Sequence, residues 1–467
     1  MRQAMNWTRW LAVLVPGVAL YFAPIPGLSP QQRHLLAVFV ATVVSLVAQP
    51  VAMGASVILS MTILALTNTV PANRVLSGFA NPTVWLIFSA FLFARAVTFT
   101  GFGNRVAYLF VRRLGGNSLS LGYSIVASNL VLAPFVPSDT ARGGAIIYPI
   151  ARSLARAFGS EPGETGRSGS FLMLIGFHST YASSAMFLTS MAANPLIADF
   201  ARQIAGVDLT WGRWALATLV PGLLSLAIVP WIIFRRYPPD ARDTGAARAL
   251  ASRELAAMGP PSRGERWLMV ILLGVMAGWI TSPWHGVANA FVALAGICAI
   301  LVTGVLAWSD LLAETRAWDA LVWFAPLVMM ADALNESGTI KILSDAAFHL
   351  LHGWPWQLAA AALALLYLYS HYAFASMTAH VTAMYPGFLA AALTAGVPAL
   401  LAALILAVFS SLNAGLTHYG TGSAPIFFGA GYVPQSAWWK LGFRISVLNV
   451  VLWLGVGGLW WKVTGLW

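Results

Sequence analysis

Two short polar stretches interrupt long apolar runs at a fixed separation, and that separation constrains this chain more than any other feature. The first is Val136-Pro137-Ser138-Asp139-Thr140-Ala141-Arg142-Gly143-Gly144; the second is Ala375-Ser376-Met377-Thr378-Ala379-His380. Ser138 and Ser376 lie 238 residues apart, as do Thr140 and Thr378. Val84-Trp85 and Val322-Trp323 keep that offset, while Gly101 and Gly338, and Tyr148-Pro149 and Tyr385-Pro386, are separated by 237. No single match is specific. Landmarks that hold one register from Val84 to Pro149 indicate an internal duplication.

What is duplicated follows from the surroundings of the tips. Hydrophobic residues make up 59% of the chain and charged residues 9%, against about 25% charged in a soluble protein, so the chain is expected to cross a membrane many times. Its 20 Trp suit interfacial belts. The net charge of +11 comes from basic residues in short loops between apolar runs, a pattern that fits anionic headgroups and excludes nucleic acid as the partner. Cys298, the sole cysteine, excludes an intrachain disulfide or a cysteine metal site. Arg2 and Arg9 precede the first apolar run, and Phe22-Ala23-Pro24-Ile25-Pro26 makes a poor cleavage site, so a retained first helix is expected.

Runs of about 20 apolar residues mark spanning helices. They give an all-α polytopic fold: a first helix within 1–30, one repeat over 31–234 with a hairpin at 117–158, a linker over 235–266, and a second repeat over 267–467 with a hairpin at 356–393. Each repeat holds five spans and one re-entrant hairpin, about eleven spans in all. Five is odd, so the second repeat must lie inverted relative to the first, as in secondary transporters. Ser170–Phe200 reads as one continuous span with polar points at Ser183, Ser184, Thr189, Asn194 and Pro195. Ala399–Phe428 reads as a span broken at residues 413–422. Gly101–Leu114 is amphipathic, with Arg105, Arg112 and Arg113 on one side. The linker carries seven Arg against four acids. The counterpart of the amphipathic helix, Thr339–His352, has one Lys and one Asp. The positive-inside rule then places the N-terminus and the linker on the cytoplasmic side.

Irregular backbone at membrane depth persists only where it lines a cavity or is buried in protein, since unpaired peptide groups are costly in hydrocarbon. The two tips are therefore candidate binding sites. Ser138, Thr140, Ser376 and Thr378 supply hydroxyls, Gly143 and Gly144 allow close backbone approach, and the helix starting after each tip favours anions at its N-terminus. Arg142 suits a carboxylate, and His380 takes the equivalent place. Blander roles compete with these. Ser and Thr cap helices, Arg142 could snorkel to an interface, and Asp139 could pair with Arg142 three residues on or hold a cation or proton. Arg95 and Asp332 occupy nearly equivalent positions within spans and are either functional or paired inside the bundle. His178, His371 and His418 are isolated and read as polar packing. No His/Glu cluster has metal spacing and no Gly-rich phosphate loop follows a strand, so no cofactor is expected. A membrane enzyme acting on a lipid-linked substrate would need acidic or His clusters near an interface, and the sequence has none.

Several longer motifs together resemble the divalent anion/sodium symporter family, in the branch of the 2-oxoglutarate/malate translocators and the citrate/succinate and tartrate/succinate antiporters. They are Leu76-Ser77-Gly78-Phe79-Ala80-Asn81-Pro82, Pro137–Arg142, Ala192-Ala193-Asn194-Pro195-Leu196, Ala317–Phe324, Phe374–Ala383, Leu416–Gly422 and Trp438–Phe443. The resemblance implies a homodimer of eleven-span protomers in which a transport domain carries the site past a scaffold as an elevator. It implies di- or tricarboxylate anions as substrates, held by Ser138, Thr140, Ser376 and Thr378 with Arg142, and closed by Asn194 and Thr421. The family has Ser-Asn-Thr at both tips. Here Asp139 and Met377 replace the Asn, and Met377 offers no oxygen to a hard cation. That departure favours exchange of one carboxylate for another over sodium coupling, while Asp139 leaves a cation site at the first tip open, with sodium- or proton-coupled symport as the alternative.

Overall fold

The computed structural model describes residues 7–163, 167–241, 243–340, 342 and 353–467. All regular elements among them are helical. Eight helices are long and apolar enough to cross a membrane, and three shorter apolar helices (Trp7–Phe22, Met53–Leu66 and Asn289–Val302) accompany them. The amphipathic helix expected at Thr339–His352 lies largely outside the described residues.

The order of elements recurs. In the first half, Pro30–Ala48, Met53–Leu66 and Pro82–Thr100 precede a hairpin, a broken helix and the long helix Trp211–Arg236. In the second, Arg263–His285, Asn289–Val302 and Thr315–Glu336 precede a hairpin, a broken helix and Gln435–Val463. Each hairpin is built alike. Ser118–Leu132 tightens into a 3-10 turn at Ala133–Phe135 before the first tip, and Trp356–Ser370 does so at His371–Ala373 before the second. The returning arms are Ala141–Ile147 continuing into Tyr148–Ala157, and Met377–Thr394.

Two expectations are corrected. Ser170–Phe200 is not one span: Arg167–Met186 ends, the chain turns through residues 187–193, and Asn194–Ala205 begins. Pro195, at the second position of the new helix, fits a start and not an interior, because it has no N–H to give. Arg167–Met186 can carry Ser, Thr and His because nearly all of it is buried in protein. Within the linker, Gly245–Met258 form a helix that packs on Phe102–Leu114 and on Tyr148–Ala157. Arg105, expected to face headgroups beside Arg112 and Arg113, is buried instead. Its guanidinium bonds Glu265 at 2.6 and 3.1 Å and the carbonyl of Gly259 at 2.9 Å. A buried carboxylate partner at the linker's end outweighs solvent, while Arg112 and Arg113 stay exposed.

Several of the family-like motifs outside the tips act in packing. A Cβ on Gly78 would lie 1.8 Å from the carbonyl oxygen of Ala325, so only glycine lets this turn meet Thr315–Glu336. Asn81 caps Pro82–Thr100 through the Thr83 N–H at 2.8 Å. Trp318 meets Phe88 edge to face at 4.8 Å. Arg95 lies 3.8 Å from Asp310, and its guanidinium sits 5.5 Å from the Phe99 ring, far in sequence from Asp332.

Candidate functional site

At both tips the serine is a helix cap with the same geometry. Ser138 Oγ accepts the Ala141 N–H at 3.1 Å while its carbonyl accepts that of Arg142 at 2.8 Å. Ser376 Oγ accepts the Ala379 N–H at 3.3 Å while its carbonyl accepts that of His380 at 3.0 Å. A capping hydroxyl still has its own proton to donate. Ser138, Thr140, Ser376 and Thr378 all keep part of their surface open, whereas Asp139, Arg142, Met377 and His380 are buried. Capping and binding are thus compatible at these serines.

Both hairpins converge on the second break, Asn413–Ser423. Asp139 Oδ2 accepts hydrogen bonds from the hydroxyls of Thr421 and, at 3.0 Å, Ser423. His380 Nδ1 lies 3.2 Å from the Asn413 side-chain amide, and His371 Nε2 lies 2.7 Å from the Gly420 carbonyl. The helix leading into the second break also touches the first break: the Ser411 hydroxyl lies 3.5 Å from the Met191 sulfur. Gly415 leaves room for Tyr181, whose hydroxyl would be 2.5 Å from a Cβ there.

Arg142 is fully buried and turns away from Asp139. It donates to the carbonyls of Val136 at 2.6 Å, Ser190 at 3.1 Å and Thr180 at 2.9 Å. It also donates to the hydroxyls of Ser184 at 2.6 Å and Ser183 at 3.4 Å. No salt bridge joins Asp139 and Arg142, so the i,i+3 pair expected from sequence does not form. The returning arm opens into a wide π turn over Ala141–Ile147 before Pro149. A Cβ on Gly143 would lie 3.0 Å from Thr180 and 3.2 Å from Ser423, so this arm fits closely between the two broken helices.

The break after Met186 satisfies its own backbone. Asn194 Nδ2 donates to the carbonyls of Ser184 and Phe187, both at 2.9 Å, and Ser190 Oγ donates to Ser184 at 2.6 Å. Thr189 Oγ1 donates to the Pro134 carbonyl at 2.7 Å, tying the break to the first hairpin. Asn194 therefore caps carbonyls that the interrupted helix leaves unpaired.

His380 sits in a chain of neutral hydrogen bonds. Ser370 Oγ donates to the Tyr367 carbonyl at 2.8 Å, so it accepts the Nε2 proton of His380 at 2.8 Å, and Nδ1 accepts from Asn413. His178 meets the Tyr181 hydroxyl at 2.5 Å, and His418 accepts the Trp439 indole N–H at 2.9 Å, which is the polar packing expected of them. Among the described residues no three His, Cys, Asp or Glu side chains cluster as metal ligands. Sequence reasoning missed Thr180, Ser190 and Ser423 as members of this assembly, and had Asn413 only as part of the second break. The density of Ser and Thr in Arg167–Met186 was the available signal for the first.

The family described as "Sodium:sulfate symporter transmembrane region" matches residues 3–467. The chain is 46% identical to "Dicarboxylate transporter 1, chloroplastic" of Arabidopsis thaliana over 98% of this chain and 83% of that one. It is 32% identical to the "L-tartrate/succinate antiporter" of Shigella sonnei over 99% of both. The crystal structure of the Alcanivorax borkumensis YdaH transporter superposes with a TM-score of 0.57 at 16% identity, over 84% of this chain and 87% of that one, a likeness of fold.

Proposed function

This chain belongs to the divalent anion/sodium symporter family, a family of multi-pass membrane transporters and not enzymes, and from that premise we propose that it exchanges one di- or tricarboxylate for another across a bacterial inner membrane. The supporting observation is the pair of serine-capped tips that meet at the second break. Each offers part-exposed Ser and Thr hydroxyls at the start of a helix, where N–H groups and the helix dipole favour carboxylates. The names of the relatives, a dicarboxylate transporter and a tartrate/succinate antiporter, support the same class of substrate.

Exchange is favoured by the place of Arg142. Its guanidinium fills an oxygen-lined position at the first break that would otherwise suit a small cation. A resident positive charge needs no imported sodium to balance a carboxylate. Without substrate, the buried Arg142 and Asp139 are costly to carry across the bilayer, which resists return of the empty carrier. The movement itself is read as an elevator within a homodimer, the two repeats lying inverted and the N-terminus cytoplasmic. Asn194 shapes the break, and Thr421 closes the site through Asp139.

Proteoliposomes holding the full chain and loaded with unlabelled succinate test this directly. Uptake of labelled malate, 2-oxoglutarate or citrate should require internal carboxylate and ignore sodium. Sodium-driven or proton-driven net uptake into empty vesicles would select the symporter reading instead. Asp139, a carboxylate among the hydroxyls of Thr421 and Ser423, is the observation that favours that second reading.

A further inference from the structure

Asn194–Ala205, the helix that starts at the first break, packs both on Met377–Thr394 and Ala399–Leu412 and on Pro82–Thr100 and Thr315–Glu336. Its later turns are polar. The buried Asp199 carboxylate accepts from Arg202, in an ion pair, and from Gln203 Nε2 at 2.8 Å, both on its own helix. Among the described residues, two side-chain hydrogen bonds cross from this helix toward Pro82–Thr100 and Thr315–Glu336. Asn81 Nδ2 reaches Asp199 Oδ2 at 3.4 Å, and Asn335 Nδ2 donates to the Gln203 carbonyl at 3.0 Å. The two asparagines stand on one side of this seam. Asn81 caps Pro82–Thr100, and the turn before it is pressed at Gly78 onto Ala325 of the helix that carries Asn335. Arg74 and Glu336 pair on that same side. The ion pairs therefore lie within each side, and what joins the sides is two amide groups. Asp332 interacts with both Asp199 and Arg202, and its repulsion from the one opposes its attraction to the other.

We infer that Asn81 and Asn335 form a latch that holds Asn194–Ala205 in the position seen here and releases it each time the carboxylate site changes sides of the membrane. This rests on the elevator-type exchange reading above and adds to it the contact that sets the balance between its two end positions. When the helix leaves, Asp199 keeps Arg202 and Gln203, so its carboxylate travels with donors in place, and Arg74 keeps Glu336. Only the two asparagine amides must exchange partners. A hydrogen bond from a neutral amide contributes modestly and can be broken in every cycle. An ion pair across the same seam would part with a buried charge uncompensated on each side, at far greater cost.

The test uses the full chain in proteoliposomes, with Cys298→Ser and spin labels on Leu76→Cys and Asp208→Cys. Both positions are exposed, the first in the segment leading to Asn81 and the second just past Asn194–Ala205. Pulsed electron double resonance reads the separation of the labels with and without succinate. Two separations are expected, one of them that of this structure. Asn335→Ala removes one bond and should move weight from that separation to the other by roughly 3- to 10-fold. Asn81→Asp keeps an oxygen to cap Thr83 but sets a carboxylate against Asp199, and should move it further. The same vesicles are assayed for exchange of labelled malate against internal succinate. A single separation in every sample, or weights that neither substitution moves, overturns the latch. If exchange runs in those samples, the latch falls and the carboxylate-exchange reading stands. Weights that shift as expected with no carboxylate exchange leave the latch in place and sink the exchange reading. Should Asn81→Asp fail to fold, Asn335→Ala decides alone.

Discussion

The two hairpin tips share one serine cap and differ in nearly everything attached to it. The first carries a carboxylate and a guanidinium, both buried, and its returning arm widens into a π turn pressed between the two broken helices. The second carries Met377 and a neutral His380 on a regular helix. The shared part, the cap and the helix start, is what a helix beginning at either tip demands of its backbone. The rest diverged because one tip is anchored by charge and the other by neutral hydrogen bonds. Two similar hairpins therefore carry chemically different tips.

The strongest way to break this comparison is to remove the charged anchor. Arg142→Gln leaves several buried oxygens without donors and should lower stability by about 3–5 kcal/mol, seen as a large drop in melting temperature in detergent and loss of exchange. Lysine should not rescue it, because an ammonium cannot fork toward carbonyls on two sides. Next comes the space around the arm. The residues aligned with Gly143 and Gly144 at the second tip are Val381 and Thr382. Gly143→Val, which imports the second tip's residue into the first, should cost about 1–3 kcal/mol by overpacking against Thr180 and Ser423. A melt comparing it with the reverse change, Val381→Gly, measures how far the two arms have parted.

Smaller effects sharpen the picture. Ser376→Ala loses a cap worth about 1 kcal/mol and one donor to a carboxylate, so KM for exchange should rise roughly tenfold with a modest fall in melting temperature. A KM that stays put while stability falls would leave Ser376 a cap alone. The smallest change is expected at the neutral anchor. His380→Gln can keep one of the bonds to Ser370 and Asn413 and should shift stability by about 1 kcal/mol, well below Arg142→Gln in the same assay.

Much of this arrangement was legible in the sequence, for reasons specific to particular residues. The hairpins stood out because Ser138-Asp139-Thr140 and Ser376-Met377-Thr378 interrupt apolar runs at one offset. The second break stood out because Asn413–Gly422 is rich in Gly and polar groups. The first break was hidden. Its helix ends at Met186 and the break residues Phe187–Ala193 carry no glycine, so the only local sign of a stop is the Asn194-Pro195 pair that starts the next helix. The breaking comes from tertiary partners, Asn194, Ser190 and Thr189, which satisfy carbonyls that a continuous helix would have bonded itself. The partners of Asp139 and Arg142 were equally hidden. Sequence spacing allowed them to pair with each other, and only the fold brings Thr180, Ser184 and Ser423 to the places that draw them apart.

The bond between Asp139 and Thr421 joins residues 282 positions apart in the chain. At roughly 5–20 residues per second, a ribosome needs about 15–60 s to travel from one to the other. For that interval the first hairpin has been made while the hydroxyls that seat its carboxylate have not. Newly inserted molecules thus pass through a stage with a buried-to-be charge and no protein partner for it. Slow translation or a truncated second half lengthens that stage, so quality-control proteases that sample the bilayer should find their best opportunity there, before the last two helices arrive.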